Sequence, residues 1–194
     1  MTTKEIDEDR RKFLLNATAG LTVLGAVGAS VPFLSAFKPN KAAEEAGRPI
    51  TVDLKSLKLG EQKTVIWRGK PIWIIRRRPQ AIKKLQDLAA TLRDPGSKIP
   101  QQPSYTRNIY RSIKPEYLIL VGVCTHLGCA PTYRPDIGGV DQGWPGGFFC
   151  SCHGSKFDMA GRVFKGVPAP TNLEVPPHRY LSAYRVLIGE DEKV

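Results

Sequence analysis

Two short stretches, CTHLGC at residues 124–129 and CSCHGS at residues 150–155, hold all four cysteines and two of the three histidines of a 194-residue chain. Each stretch offers one histidine and two cysteines. Four arrangements compete for that supply. A zinc site takes four ligands in a tetrahedron, which leaves two of the six side chains unused, and the tight Cys-x-His spacing is unlike that of zinc fingers. Two disulfides account for the cysteines and ignore the matched histidines. A catalytic thiol needs one exposed cysteine beside a histidine rather than two matched boxes. The fourth arrangement uses all six: two thiolates on one iron, two imidazoles on a second, and the remaining cysteines joined to each other.

The sequence around the boxes is strand-like. Residues 115–123, PEYLILVGV, form an apolar run that leads straight into the first box. Residues 50–78 alternate apolar and polar positions, with turn signals around Gly60 and Gly69. That pattern predicts consecutive antiparallel strands with Val65, Trp67, Ile72 and Ile74 in the core. The run Arg76-Arg77-Arg78 reads as a solvated strand end. In residues 79–95, PQAIKKLQDLAATLRDP, Ile82, Leu85, Leu88 and Leu92 recur at near-helical spacing behind Pro79, which predicts one short helix. Residues 133–147, rich in Gly and Pro, read as a surface loop between the boxes. Residues 178–190, HRYLSAYRVLIGE, read as a final strand returning to the first sheet.

At the amino end Arg10 and Arg11 precede 25 residues, 13 to 37, without a charge. As a helix, at about 1.5 Å per residue, that run exceeds the roughly 30 Å hydrocarbon core of a bilayer. It is also longer than the roughly 7–15-residue core of a cleaved signal peptide, which favours a retained anchor over cleavage. The basic cluster before it places the amino end in the cytoplasm. The arginine pair resembles a twin-arginine export signal, a route that carries folded proteins. Residues 1–12 are thus a cytoplasmic signal segment, 13–37 a transmembrane helix, 38–49 a polar hinge linker and 50–194 an exported domain.

The net charge of +11 is scattered rather than gathered on one stretch, which argues against nucleic acid and for an anionic membrane surface or an acidic partner. With 18 Gly and 16 Pro, loops and strands are favoured over long helices in the body of the chain.

The paired boxes resemble those of Rieske [2Fe–2S] proteins. With the arginine-led anchor, KPEYLILVGVCTHLGC, GGFFCSCHGSKFDMAGRVFKGVPAP and NLEVP, most of the chain resembles the iron–sulfur subunits of bacterial cytochrome bc complexes, the quinol–cytochrome c reductases. The resemblance implies a mostly β fold, an antiparallel β-sandwich base domain with a smaller cluster-binding subdomain inserted at about residues 121–170. It implies one [2Fe–2S] cluster, with Cys124, His126, Cys150 and His153 as ligands and a Cys129–Cys152 disulfide. It implies that Ser155 donates to a cluster sulfur, that Leu127 helps form an apolar docking surface, and that residues 166–170 are a proline loop beside the cluster. By the same match, His153 binds ubiquinol where the head meets cytochrome b, and the electron passes on to a c-type cytochrome. The expected setting is a dimeric complex in the bacterial inner membrane, with the head in the periplasm. The ligand mix has a purpose: neutral imidazoles in place of two thiolates raise the potential of such centres to roughly −150 to +300 mV, from about −400 mV. A disulfide agrees with an oxidising compartment.

One position departs from the family. Two residues beyond the serine, many respiratory members carry a tyrosine that donates to a ligating cysteine; here it is Phe157. Two rival readings are the Rieske subunit of an exported arsenite oxidase and a zinc-stabilised membrane-attached binding module.

Overall fold

The computed structural model describes residues 7–38 and 41–191. Residues 1–6 of the expected signal segment, residues 39–40 of the expected linker and residues 192–194 lie outside the described residues. The chain divides into two compact units, the first ending at Glu45 and the second starting at Ala46.

The first unit is dominated by helix α1, Glu8–Ala36, capped by the Asp7 carboxylate, which accepts from the Arg10 amide at 3.1 Å. The arginine pair therefore lies inside the first turns of the helix rather than ahead of it. The helix is long and apolar enough to cross a membrane, and none of its residues is buried. Its hydroxyls donate back to carbonyls of the preceding turn, Thr18 to Leu14 and Thr22 to Thr18 at 2.8 Å, so they ask nothing of an apolar surrounding. Part of the expected linker is helical: α2 spans Lys41–Gly47.

The second unit is built of three antiparallel sheets of three strands. Strands β2 (Gln62–Trp67), β3 (Lys70–Arg76) and β4 (Tyr117–Val121) make the central one, in the order β2-β3-β4. β2 and β3 are joined through Arg68 and Gly69, both at positive φ (50° and 71°), which suits a two-residue hairpin. Strand β1 (Ile50–Asp53) pairs with β9 (Arg185–Ile188), which pairs with β8 (His178–Ser182). Strands β5 (Thr132–Arg134), β6 (Gly147–Cys150) and β7 (Ser155–Asp158) form the third sheet, between β4 and β8 in the chain.

Alternation along β3 and β4 divides the core in two. Ile72, Ile74, Ile119 and Val121 face Val52, Leu54, Val186 and Ile188, which closes a sandwich with β1-β9-β8. Trp73, Ile75, Leu118 and Leu120 face the other way, onto Phe148, Phe157, Cys124 and Cys150. Both faces of the central sheet are thus buried, which is why β4 reads as an unbroken apolar run. Trp73 stacks on Phe148 with centroids 5.3 Å apart. The backbone leaves β4 at Gly122, where any Cβ would overlap the Trp73 ring.

Four expectations need correction. The carboxy-terminal segment is a hairpin, β8 and β9, turning at residues 183 and 184, rather than one strand; it does return to β1, but in a sheet separate from β2-β3-β4. The helix after Pro79, α3, stops at Lys84, with only a 3-10 turn at Ala89–Thr91 beyond it. There the Leu85 carbonyl, which a continuing helix would use, accepts from Arg162 Nη2 at 2.6 Å. The segment at residues 133–147 is not wholly a surface loop: Trp144 is buried and its Nε1 donates to the Arg134 carbonyl at 2.9 Å. Arg77 is not solvated; it is fully buried.

Arg77 lies among carbonyls. Its guanidinium donates to the carbonyls of Pro115, Tyr110 and Met159 and to Ser112 Oγ, at 2.8–3.0 Å. Arg111 and Arg162 are buried in the same way, Arg111 against the carbonyls of Ala160, Gly161 and Leu173, and Arg162 against Asp158 at 2.7 Å. The three cations tie strandless segments to the residues just after β7. Burial lowers the Arg77 pKa to about 10, with Asp158 acting the other way, so the side chain remains a cation at neutral pH. Arg77→Met leaves those carbonyls without donors. It is expected to cost about 3 kcal/mol and to lower the thermal midpoint of the full chain by about 10 °C, read by calorimetry.

His178, the histidine outside the boxes, is buried; its Nδ1 lies 2.8 Å from the Pro176 carbonyl and therefore carries the proton. Burial lowers its pKa, against the Pro176 hydrogen bond. A base with a lowered folded pKa binds its proton more readily in the unfolded chain, so stability is lost as pH falls from its ordinary value of about 6.5 toward the folded value. Urea unfolding across this range is expected to be more pH-dependent in the wild type than in His178→Gln.

Candidate metal centre

The first box follows β4; the second is the loop of the hairpin between β6 and β7, with Cys150 and Ser155 paired across its base. The two loops share a turn. In each, a glycine at positive φ, Gly128 (83°) or Gly154 (77°), donates its amide back to the carbonyl of the box's first cysteine, at 3.0 and 2.9 Å. This closes each loop into a tight turn.

The two loops present unequal groups. Cys124 and Cys150 are free thiols, each 2% exposed, at the floor. His126 is half-buried and His153 exposed, with rings 4.8 Å apart and nearly perpendicular at 88°. Cys129 and Cys152 form a disulfide that ties one loop to the other. The sulfurs of Cys129, Cys150 and Cys152 lie within 4.8 Å of one another. Two of these are bonded together and offer no thiolate, so the thiols available to a metal are Cys124 and Cys150.

Burial pushes the Cys124 thiol up, and the neighbouring Cys150 adds to this; the His126 amide and the Ser155 hydroxyl, both directed at the Cys124 sulfur, act the other way. Buried thiols of this kind ionise when a cation takes the place of water, and donors already aimed at the sulfur favour the charged form. Two thiols with two imidazoles beside them thus fit a [2Fe–2S] group with mixed ligation.

A third segment completes the site. Ser155, fully buried, accepts from the Ala169 amide at 3.0 Å, which leaves its hydroxyl hydrogen free for sulfur. Thr125, between the cysteine and histidine of the first box, donates to the Thr171 carbonyl at 2.7 Å. The proline loop, residues 166–170, is therefore tied near its exit to both boxes. Thr125 and the Ala169 amide were not singled out from the sequence. A threonine between two candidate ligands was the available signal for the first; a backbone amide has none. Leu127 is 72% exposed at the tip, and Phe157 is fully buried in the core that holds both thiols.

Two matched cysteine–histidine loops, tied by a disulfide and walled by a proline-stiffened segment on an antiparallel β base, define a Rieske-type domain. The family described as "Rieske [2Fe-2S] domain" matches residues 96–177. A second, "Ubiquitinol-cytochrome C reductase Fe-S subunit TAT signal", matches residues 1–40. The chain belongs to the family of ubiquinol–cytochrome c reductase iron–sulfur subunits. It is 49% identical to that of Allochromatium vinosum over 193 residues, 98% of this chain and 93% of the relative. It is 41% identical to that of Blastochloris viridis (93% of this chain, 92% of the relative) and 38% identical to that of Bradyrhizobium diazoefficiens (93% and 94%). These relatives favour the reductase reading over an arsenite-oxidase subunit.

Phe157 has no hydroxyl to offer sulfur. Phe157→Tyr is expected to raise the midpoint potential by about 40 mV, the equivalent of about 1 kcal/mol for one added hydrogen bond in a one-electron couple. A redox titration followed by low-temperature EPR reads it; an unchanged or lowered midpoint contradicts the argument.

Proposed function

We propose that the chain is the electron-accepting subunit of a membrane-bound quinol–cytochrome c reductase, with Cys124 and Cys150 on one iron and His126 and His153 on the other. The observation that carries this reading is the contrast within the site: thiols sealed in the core, and one imidazole, His153, exposed at the surface. The bound group supplies a one-electron acceptor whose potential is raised by imidazole ligation and by hydrogen bonds to sulfur.

The residues around it do the rest. His153 accepts a hydrogen bond from a quinol hydroxyl on the ring nitrogen that ligation leaves free, and takes the proton there. Leu127, apolar and exposed beside it, seats the head against the quinol pocket of cytochrome b and keeps water from the transferred proton. Ser155 and the His126 amide hold negative charge on sulfur. Residues 13–37 anchor the chain in the bacterial inner membrane, with residues 1–12 in the cytoplasm. Residues 50–194 form the periplasmic head, whose cluster-binding subdomain is about residues 121–170. Residues 38–49 are the tether that lets the head carry the electron to a c-type cytochrome. The relatives' names support the quinol and cytochrome c assignment, and the matched export signal supports the orientation. The complex is expected to be dimeric.

The test separates docking from assembly. In membranes, Leu127→Asp is expected to keep the reduced EPR signal while quinol oxidation falls about tenfold, the equivalent of about 1.4 kcal/mol. His153→Ala is expected to lose both. A wild-type chain whose EPR signal ignores a quinol-pocket inhibitor contradicts the proposal.

A further inference from the structure

Few hydrogen bonds reach the proline loop. Among the described residues, three involve residues 166–171: the Ala169 amide donates to Ser155 Oγ, Thr125 Oγ1 donates to the Thr171 carbonyl, and Arg93 Nη2 donates to the Val167 carbonyl at 3.0 Å. The first two join the loop to the boxes, and both lie toward its exit. The third comes from outside the site. Arg93 is exposed, on a segment that runs antiparallel to residues 163–165. Its amide donates to the Val163 carbonyl at 3.0 Å, the Lys165 amide donates to the Thr91 carbonyl at 2.9 Å, and Leu92 bridges Phe164.

The chain enters the loop at Gly166, at a φ of 73°, and no heavy atom beyond its chain neighbours lies within 4 Å of where a Cβ would stand. This glycine serves the backbone conformation, not close packing, and it is the point about which the entry can turn. Beyond it the chain is stiff. Val167 precedes a proline, which restricts it to extended backbone, and Pro168 has a fixed φ. A shift at the Val167 carbonyl is therefore passed to the Ala169 amide, and from there to the Ser155 hydroxyl. Val167 and Ala169 also pack against the core that holds both thiols. Those contacts hold the loop down; the Arg93 bond fixes its backbone at the entry.

We propose that Arg93, which belongs to neither box, is a positioning residue of the metal centre: by holding the Val167 carbonyl it sets where the Ala169 amide stands, and so how the Ser155 hydroxyl is aimed at the Cys124 sulfur. The effect on the centre rests on the reading of Cys124 as an iron ligand. A hydroxyl aimed at sulfur favours the reduced, more negative state, so a loosened Ser155 lowers the midpoint potential.

The test uses the full-length protein purified with its EPR signal, and compares Arg93→Ala with Lys165→Ala. Lys165 is the matched control: its Nζ donates to the Ala90 carbonyl at 2.8 Å, on the same pair of segments but short of the loop, and its loss removes the same charge. Amide exchange of the peptide holding residues 164–171, read by mass spectrometry, is expected to be about fivefold faster in Arg93→Ala, the range of one modest hydrogen bond on a local opening. It is expected to be unchanged in Lys165→Ala and intermediate in Arg93→Lys, which keeps one donor. The midpoint of Arg93→Ala is expected to lie below that of Lys165→Ala. Wild-type exchange in Arg93→Ala overturns the proposal, and so do equal midpoints in the two alanine variants, which would leave only the lost charge. A full iron signal in Cys124→Ser overturns the ligand reading instead, and with it the effect on the centre, while the exchange result still decides whether Arg93 holds the loop.

Discussion

Two thiols buried in one apolar core, which the proposed ligation would charge negatively, are the constraint around which the domain is organised. Cys124 and Cys150 share a core with Trp73, Phe148 and Phe157, where an isolated anion is strongly disfavoured. Every nearby polar feature answers that problem. The His126 amide and the Ser155 hydroxyl aim at sulfur, and the Ala169 amide fixes the serine from behind. The disulfide and the Thr125 hydroxyl close the loops over the floor, so that water cannot do the same work. The imidazoles are arranged differently, His126 half-buried and His153 exposed.

The second layer of support is cationic. Arg77, Arg111 and Arg162 are buried; among the described residues Asp158 is the one carboxylate bonded to any of them, and most of their donors end on backbone carbonyls. Much of the segment between α3 and β4 lacks strand partners, and its carbonyls need donors that a sheet would otherwise supply. Guanidinium groups meet that need with several N–H bonds from one side chain. A polar scaffold of this kind holds irregular backbone in one conformation beneath the metal-binding loops.

The site was more legible in the sequence than its support. Metal-binding chemistry draws on few residue types at fixed spacing, so six residues in two boxes stood out. The choice of which cysteines pair came only with the resemblance. Alternation exposed β2, β3 and β4 because a sheet's period is short. Arg77 was misread because three successive arginines look solvated, and the carbonyls that receive the middle one come from distant, patternless segments. The β8–β9 turn uses Ala183 and Tyr184, which carry no glycine, asparagine or proline signal. The end of α3 depends on Arg162, 77 residues from the carbonyl it takes. Trp144 was hidden in a glycine-rich stretch whose composition suggests only exposure.

The central sheet serves as a party wall. Its strands close the sandwich on one face and roof the metal-bearing insert on the other, and neither neighbour has a substitute for it. The insert proposed at residues 121–170 is therefore continuous in sequence and incomplete in space: cut out, it leaves behind Trp73 and Ile75, which share a core with Phe148 and Phe157. Transplanting this redox head into another scaffold means carrying strand β3 with it, and melting of either half should be felt at once in the other.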